Sequence, residues 1–471
     1  MTEHLTALDA TFLELEEADP SAHMHVGGLL TFSGSAPGVE RLCEHLTARL
    51  GGLPRYGQRL SEPYTGGLSW PSWVDDPAFD MANHVTRAAL PAPGGHEELM
   101  EWLAAWWSQR LDRHRPLWEM AILEGMDGGC WGLATKTHHC MVDGVSSMDV
   151  GAVMLDTSPH ATRKRRPVVA PPAADGEDGH GFLYGIPRRA VGAARAGAGL
   201  ALHPDRLRDA VSRARSVAEV LVRDEVVPAP RTSLNVPIGT LRRYDVARVP
   251  LADLKAIKAS LGGTVNDVVL AAASGGLRQM LLARGEEPPA QGLRAMVPVN
   301  IRDAGEHLAL GNRVSSLFVH LPVQDADPLM RYAHTVEDAE WLKAGPEAEG
   351  SSTLVGLVGH APPVLHSLAA RGLFASRLFN VTVTNVPGPQ QTLYAFGDPM
   401  IEMVGLVPLA AEHCVGMAVL SYDGQVTFGL IADHGTVPDL EVLREGIEAE
   451  LDELRRLAGV GDAVGAAPDA R

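Results

Sequence analysis

The sequence predicts an α/β protein of two domains, each a mixed sheet flanked by helices. Three observations carry that expectation. The chain has 471 residues, long for one hydrophobic core. Runs of branched and apolar residues with strand character alternate with runs whose apolar residues recur every three to four positions. The composition also changes abruptly after residue 156: a basic run (Arg163, Lys164, Arg165, Arg166), Pro171-Pro172 and an Asp-Gly-Glu-Asp-Gly stretch lead into an Ala- and Arg-rich helical pattern. The expected division is a first domain over 1–156, a linker and basic helical crossover over 157–230, a second domain over 231–458 and a flexible Ala/Gly-rich tail over 459–471.

Composition narrows the classes of function. Hydrophobic content of 45% and charged content of 21% are those of a folded globular protein. A formal charge of −18 argues against nucleic acid as a partner. The acidic start lacks the basic region and apolar core of a signal peptide, and no apolar run approaches the ~18 residues of a membrane span. Cys43, Cys130, Cys140 and Cys414 are scattered without a CxxC, which suits reduced thiols in the cytoplasm. Peripheral contact with a membrane or lipid surface stays open. Arg188, Arg189, Arg195, Arg206, Arg208, Arg213, Arg215 and Arg223 form a basic island in this acidic protein. It reads either as a solvated crossover between domains or as an electrostatic membrane contact.

Taken in order, the chain opens with Leu5, Leu8, Phe12 and Leu15 at helical spacing. Met24 to Phe32 reads as a strand, in which Gly27 and Gly28 signal a bulge or a close approach by something else. Val39 to Leu50 is an amphipathic helix, and Leu68 to Val74 and Phe79 to Leu90 are strand-like. Glu97 to Leu111 is a helix carrying Trp102, Trp106 and Trp107; Pro116-Leu117-Trp118-Glu119 then enters a strand, with Trp118 as a large core anchor. The run Cys130 to Thr137 is a further strand, leading into His138, His139, Asp143 and Gly144. Alternation puts Trp131, Leu133, Thr135, Thr137 and His139 on one face and Gly132, Ala134, Lys136 and His138 on the other. His139 is therefore expected to look into the protein and His138 elsewhere. Asp143-Gly144 marks a turn, and Val145 to Leu155 a helix.

The second half starts at Arg231. Tyr244 to Pro250 is a strand and Leu251 to Ser260 a helix. Thr264 is placed to cap a helix whose first turn holds Asn266 and Asp267. Arg294 to Arg302 and Ser315 to Pro322 are strands, Pro328 to Ala344 and Thr353 to Ala370 helices. A strand ending in Thr382, Thr384 and Asn385 precedes the rigid turn Pro387-Gly388-Pro389. Gly416 to Ala432 is a hairpin turning at Asp423-Gly424, and Pro438 to Leu457 a charged amphipathic helix.

The pattern His138-His139-x-x-x-Asp143-Gly144 resembles the active-site motif of the bacterial wax ester synthase/diacylglycerol acyltransferase family, within the CoA-dependent acyltransferases. Further elements match in the expected order. They are Asp9, Phe12 and Leu13 before Met24-His25-Val26-Gly27, then Pro116-Leu117-Trp118, then Leu234-Asn235 with Pro237-Ile238-Gly239 and Arg242-Arg243. Asn266-Asp267, Gly311-Asn312 and Asn385-Val386-Pro387-Gly388-Pro389 complete the series. The resemblance implies two chloramphenicol-acetyltransferase-like domains with an interdomain channel. It also implies acyl-CoA as co-substrate and a diacylglycerol or long-chain alcohol as acceptor, with no cofactor. His139, at the second position of the pair, would be the base; His138 would fix local geometry; Asp143 would hold the loop through an arginine, for which Arg302 and Arg313 both remain open; Gly144 would let the turn close. Asn266, Thr384 and Asn385 would contact substrate. An alcohol is a poor nucleophile at neutral pH, so one imidazole base plus oxyanion hydrogen bonds answers the needs of thioester alcoholysis. Other chemistries lack their signatures: there is no Gly-x-Ser-x-Gly elbow, no HExxH and no P-loop, and three consecutive residues, His138, His139 and Cys140, do not converge on one metal from a strand. The alternatives are acyl transfer to another alcohol, such as a natural-product hydroxyl, or a binding protein that keeps the fold without turnover.

Overall fold

A computed structural model describes residues 3–50, 53–61, 71–141, 154–160, 228–300, 314–344 and 378–460. Met1–Arg163 and Ala229–Arg471 form one compact unit, which holds both large sheets. The first half contributes β1 (Glu3–His4), α1 (Ala7–Ala18), β2 (His25–Ser33), α2 (Val39–Leu50), β3 (Gln58–Leu60), β4 (Ser72–Asp75), β5 (Val85–Ala89), α3 (His96–Trp107), β6 (Trp118–Met126) and β7 (Cys130–His138). The second half contributes β8 (Arg242–Pro250), α4 (Leu251–Leu261), α5 (Val265–Ala283), β9 (Leu293–Asn300), β10 (Val314–Leu321), α6 (Pro328–Ala344), β11 (Val381–Pro387), β12 (Tyr394–Ala395), β13 (Asp398–Leu406), β14 (Val415–Tyr422), β15 (Gln425–Asp433) and α7 (Leu440–Leu457).

Two six-stranded mixed sheets result, flanked by helices as expected. The first has the order β12-β13-β2-β7-β6-β5 and the second β10-β9-β11-β14-β15-β8; β1, β4 and β3 make a small third sheet. β5 and β6 are parallel, as are β9, β11 and β14, while the other pairings within the two large sheets are antiparallel. Among the elements the sequence does not announce, β13 matters most. Encoded in the second half, it pairs antiparallel with β2 and completes the first sheet, Met403 opposite Leu30 and Gly405 opposite Gly28.

That insertion explains Gly28, and β7 on the other side explains Gly27. A Cβ on Gly27 would lie 2.0 Å from the Thr135 carbonyl oxygen, and one on Gly28 2.1 Å from that of Val404. Neighbouring strands crowd β2 from both sides, so these positions tolerate no side chain. The hairpin β14–β15 turns where expected, with Asp423 at φ 43° and Gly424 at φ 81°, the two left-handed residues of a tight turn.

Both faces of the first sheet are covered. On one, Phe32, Trp131, Leu133, Trp118 and Ile122 pack with Leu42, Leu46 and Leu50 of α2. On the other, Leu29, Ala121, Leu123 and Ala134 pack with Leu103, Ala104, Trp106 and Trp107 of α3 in a core continuous with that of the second sheet. Trp107 meets the β8 residue Tyr244 edge-on at 4.6 Å, and the Tyr244 hydroxyl donates to Gly405 O at 2.5 Å. Trp118 is the anchor anticipated: fully buried, its indole N–H donates to Tyr56 O at 2.9 Å and its ring stacks on His84. No helix of the described residues is long and apolar enough to cross a membrane.

Candidate active site

The expected inner and outer faces of β7 are corrected here. Lys136 and His138, assigned to a face looking elsewhere, are both fully buried. The reason is α3. Its C-terminal end lies over Lys136, whose ammonium donates to Trp106 O (3.3 Å) and Gln109 O (3.0 Å), meets Glu119 at 3.1 Å and sits over the Trp106 ring. A lysine satisfies the exposed carbonyls of a helix end and the dipole behind them. A strand covered on both sides has no outer face, so alternation does not identify the functional histidine.

β7 ends at His138, and His139 follows in a turn. The His139 N–H donates to Met24 O at 2.8 Å, His138 N–H to Leu117 O at 2.9 Å, and Met141 N–H to His138 O at 2.9 Å. The half-buried His139 ring stacks on Phe12 of α1, centroids 3.9 Å apart and planes inclined by 16°. The His138 Nδ1 accepts the N–H of Cys140 at 3.1 Å. A neutral ring has one protonated nitrogen, so the His138 proton sits on Nε2. That atom lies 3.3 Å from Glu16 Oε2, one turn beyond Phe12 on α1. His25, opposite His138 across the β2–β7 ladder, points Nε2 at Glu16 Oε1 from 3.8 Å, and the Arg110 guanidinium reaches the same oxygen at 3.3 Å.

The electrostatics follow from burial and pairing. Burial alone would raise the Glu16 carboxyl, but the His138 imidazole beside it, with His25 and Arg110, holds it well below the usual carboxylate range. Burial pushes His25 well below the ordinary histidine value. His23, its stacked neighbour, is pushed down to about 4 by burial and then by the Arg242 charge. Burial raises the Cys140 thiol, so it is no nucleophile.

In the second half Asn266 and Asn385 come together, while Thr384, on the other face of β11, does not join them. Thr264 caps α5, its Oγ1 accepting from Asp267 N–H at 3.3 Å while Asp267 Oδ2 accepts from Thr264 N–H at 2.8 Å. That box sets Asn266 in the first turn, where its Oδ1 accepts from Asn385 Nδ2 at 3.1 Å. The Thr384 hydroxyl points at Met417 O from 3.5 Å. Asp143, Gly144, Arg302 and Arg313 lie outside the described residues, as do the 145–153 part of the expected helix and the basic island.

Sequence reasoning missed Glu16, and it noted Arg242 among the matching elements without giving it a role. Glu16 sits among Glu14 and Glu17 with only its four-residue spacing from Phe12 to mark it. Arg242 is buried, and its guanidinium donates to Gly239 O at 2.6 Å, Leu241 O at 3.1 Å and, across the halves, Ser21 O. No group of three or more His, Cys, Asp or Glu among the described residues is arranged to hold a metal ion.

Comparison with known proteins identifies the family. Residues 5–269 match the family model of the wax ester synthase/diacylglycerol acyltransferase catalytic domain, and residues 310–455 that of the WS/DGAT C-terminal domain. The chain is 35% identical over 467 residues to probable diacylglycerol O-acyltransferase tgs1 of Mycobacterium tuberculosis, covering 97% of this chain and 96% of that protein. Among solved structures, it resembles the wax ester synthase/diacylglycerol acyltransferase from Marinobacter aquaeolei VT8, with 29% identity, a TM-score of 0.70, and 97% and 100% of the two chains covered. The first condensation domain of the calcium-dependent antibiotic synthetase shares the fold, at 19% identity and a TM-score of 0.62 over 97% of each chain.

Proposed function

Because this chain belongs to the wax ester synthase/diacylglycerol acyltransferase family, we propose that it moves a long-chain acyl group from acyl-CoA to the hydroxyl of diacylglycerol or a long-chain alcohol, with His139 as general base. The product is triacylglycerol or a wax ester. The neutral His139 imidazole takes the hydroxyl proton as the oxygen attacks the thioester carbonyl carbon. The tetrahedral oxyanion then collapses, the carbon–sulfur bond breaks, and the imidazolium returns its proton to the departing CoA sulfur. No acyl-enzyme forms, and the good leaving group makes one base sufficient. Substrates reach the base through a channel between the two sheets, acyl-CoA from one side and acceptor from the other. Asn266, Thr384 and Asn385 contact substrate, and Asp143 holds its loop through Arg302 or Arg313.

The observation that carries this reading is His139, half-buried at the exit of a central strand, its backbone N–H held by Met24 O and its ring by Phe12 across one face. The test offers several acyl-CoAs with diacylglycerol, hexadecanol and shorter alcohols to wild type and His139→Ala, following CoA release and product. A loss of about 10²- to 10⁴-fold is expected, the usual worth of a positioned base. Full activity in the Ala variant sinks the assignment, and the product distribution separates a lipid acceptor from a natural-product hydroxyl. Peripheral lipid association through the basic stretch 188–223 is part of the same proposal. Salt-sensitive sedimentation with anionic vesicles is expected, and absence of binding removes that part.

A further inference from the structure

We propose that Phe12 and Glu16, one turn apart on α1, are positioning residues that hold His139 in its reactive orientation, Phe12 directly and Glu16 through His138. The inference rests on the reading of His139 as the base and goes beyond it by naming what aims that base.

Glu16 is 2% exposed, and a carboxylate taken out of water that far persists only where it is paired. Its partners are His138, His25 and Arg110, so a single side chain on α1 ties together β7, β2 and the segment after α3. The Cys140 N–H sets the His138 tautomer, and the Glu16 carboxylate, 3.3 Å from Nε2 without hydrogen-bond alignment, supports it by its charge. With the proton on Nε2 beside the carboxylate, Nδ1 is free to accept the Cys140 N–H. In the other tautomer an Nδ1–H would face the Cys140 N–H, donor against donor, and the turn would have to open. A carboxylate behind an imidazole fixes both tautomer and ring orientation.

The consequence reaches His139 because the Cys140 N–H to His138 Nδ1 bond closes a ring of atoms around residue 139. Together with the bonds of His139 N–H to Met24 O and Met141 N–H to His138 O, it restrains the backbone on both sides of the base. Phe12 restrains the side chain. Residues four apart on a helix share a face, so one rotation of α1 sets both contacts at once. Proton transfer tolerates little error: a misplacement of ~1 Å costs on the order of 10²-fold.

The test uses the full chain with Glu16→Ala, Glu16→Gln, His138→Ala, the Glu16→Ala/His138→Ala double variant and Phe12→Leu, alongside His139→Ala. Steady-state CoA release supplies kcat and KM, and nitrogen NMR of the histidine rings supplies the tautomer. Glu16→Ala is expected to lower kcat about 10- to 100-fold with little change in KM for acyl-CoA, and to mix the His138 tautomers. Glu16→Gln keeps an oxygen facing Nε2–H without the charge and restores part of the rate. In the His138→Ala background Glu16→Ala costs nothing further. Equal cost in both backgrounds, wild-type kcat in Glu16→Ala, or an unchanged His138 tautomer overturns the proposal. Should Glu16→Ala not fold, Phe12→Leu decides: it keeps the apolar volume without the flat stacking face, and kcat is expected to fall about tenfold at a similar melting temperature, wild-type kcat overturning the clamp. His139→Ala reports on the base alone, so its activity and that of the Glu16 variants fail independently.

Discussion

The central strands β7 and β11, one in each large sheet, end very differently. β7 delivers its last residue into a buried, ionisable cluster of His138, Glu16 and His25, with His139 just beyond. β11 delivers Asn385 to a neutral amide partner, Asn266, at the start of α5. An amide pair holds an orientation at any pH and asks little of its surroundings. A buried imidazole beside a carboxylate needs its charge managed, and around His138 the first sheet meets that need with Glu16, a second imidazole and an arginine. Titration chemistry and plain hydrogen bonding are thus divided between the two strand ends.

The sharpest way to break this contrast is to remove one residue from each side. His139→Ala is expected to cost about 10²- to 10⁴-fold in CoA release, far more than any single change around Asn385. If the Asn385 side proves equally costly, the division fails.

Acid provides the next test. His23 and His25 have folded-state values depressed below those of the unfolded chain. The unfolded chain therefore takes up protons first, and stability falls as pH drops from about 6.5 toward the His23 value of about 4. His413, buried against Phe379 in the second half, is depressed by burial and acts in the same direction. Thermal melts between these pH values should show the decline, and His23→Asn should flatten part of it. A melting temperature independent of pH across that window contradicts the buried-neutral histidines.

Smaller effects follow. Gly28→Ala forces a methyl against Val404 O and is expected to destabilise by about 1–3 kcal/mol in urea unfolding; an unchanged midpoint would mean β13 does not press on β2 as described. Asn385→Ala removes one amide hydrogen bond, expected to cost about 0.5–1.5 kcal/mol, with a pH profile of activity matching wild type. A shifted profile would place a titrating partner there.

What could be read locally was read well. β2, β7, the Thr264 cap and the Asp423-Gly424 hairpin are each specified within a dozen residues by alternation, capping or turn chemistry. His138 and His139 stood out for the same reason. The failures are all non-local. β13 pairs with a strand more than 360 residues away in the chain, and no local pattern says which sheet a strand will join. The two-sided cover of β7 depends on α3, so Lys136, an apparent marker of solvent, is the tether of a helix end. Glu16 looks like its acidic neighbours until α1 is laid against β7.

The crossing of β13 into the first sheet also bears on how the molecule is made. A ribosome has released β2 and β7 long before Asp398–Leu406 emerges, and until then the outer ladder of β2 has no partner. The nascent chain must therefore carry an open strand edge through most of its synthesis. A fragment ending before residue 398 would keep that edge permanently, and in a refolding mixture it would pair with its own copies.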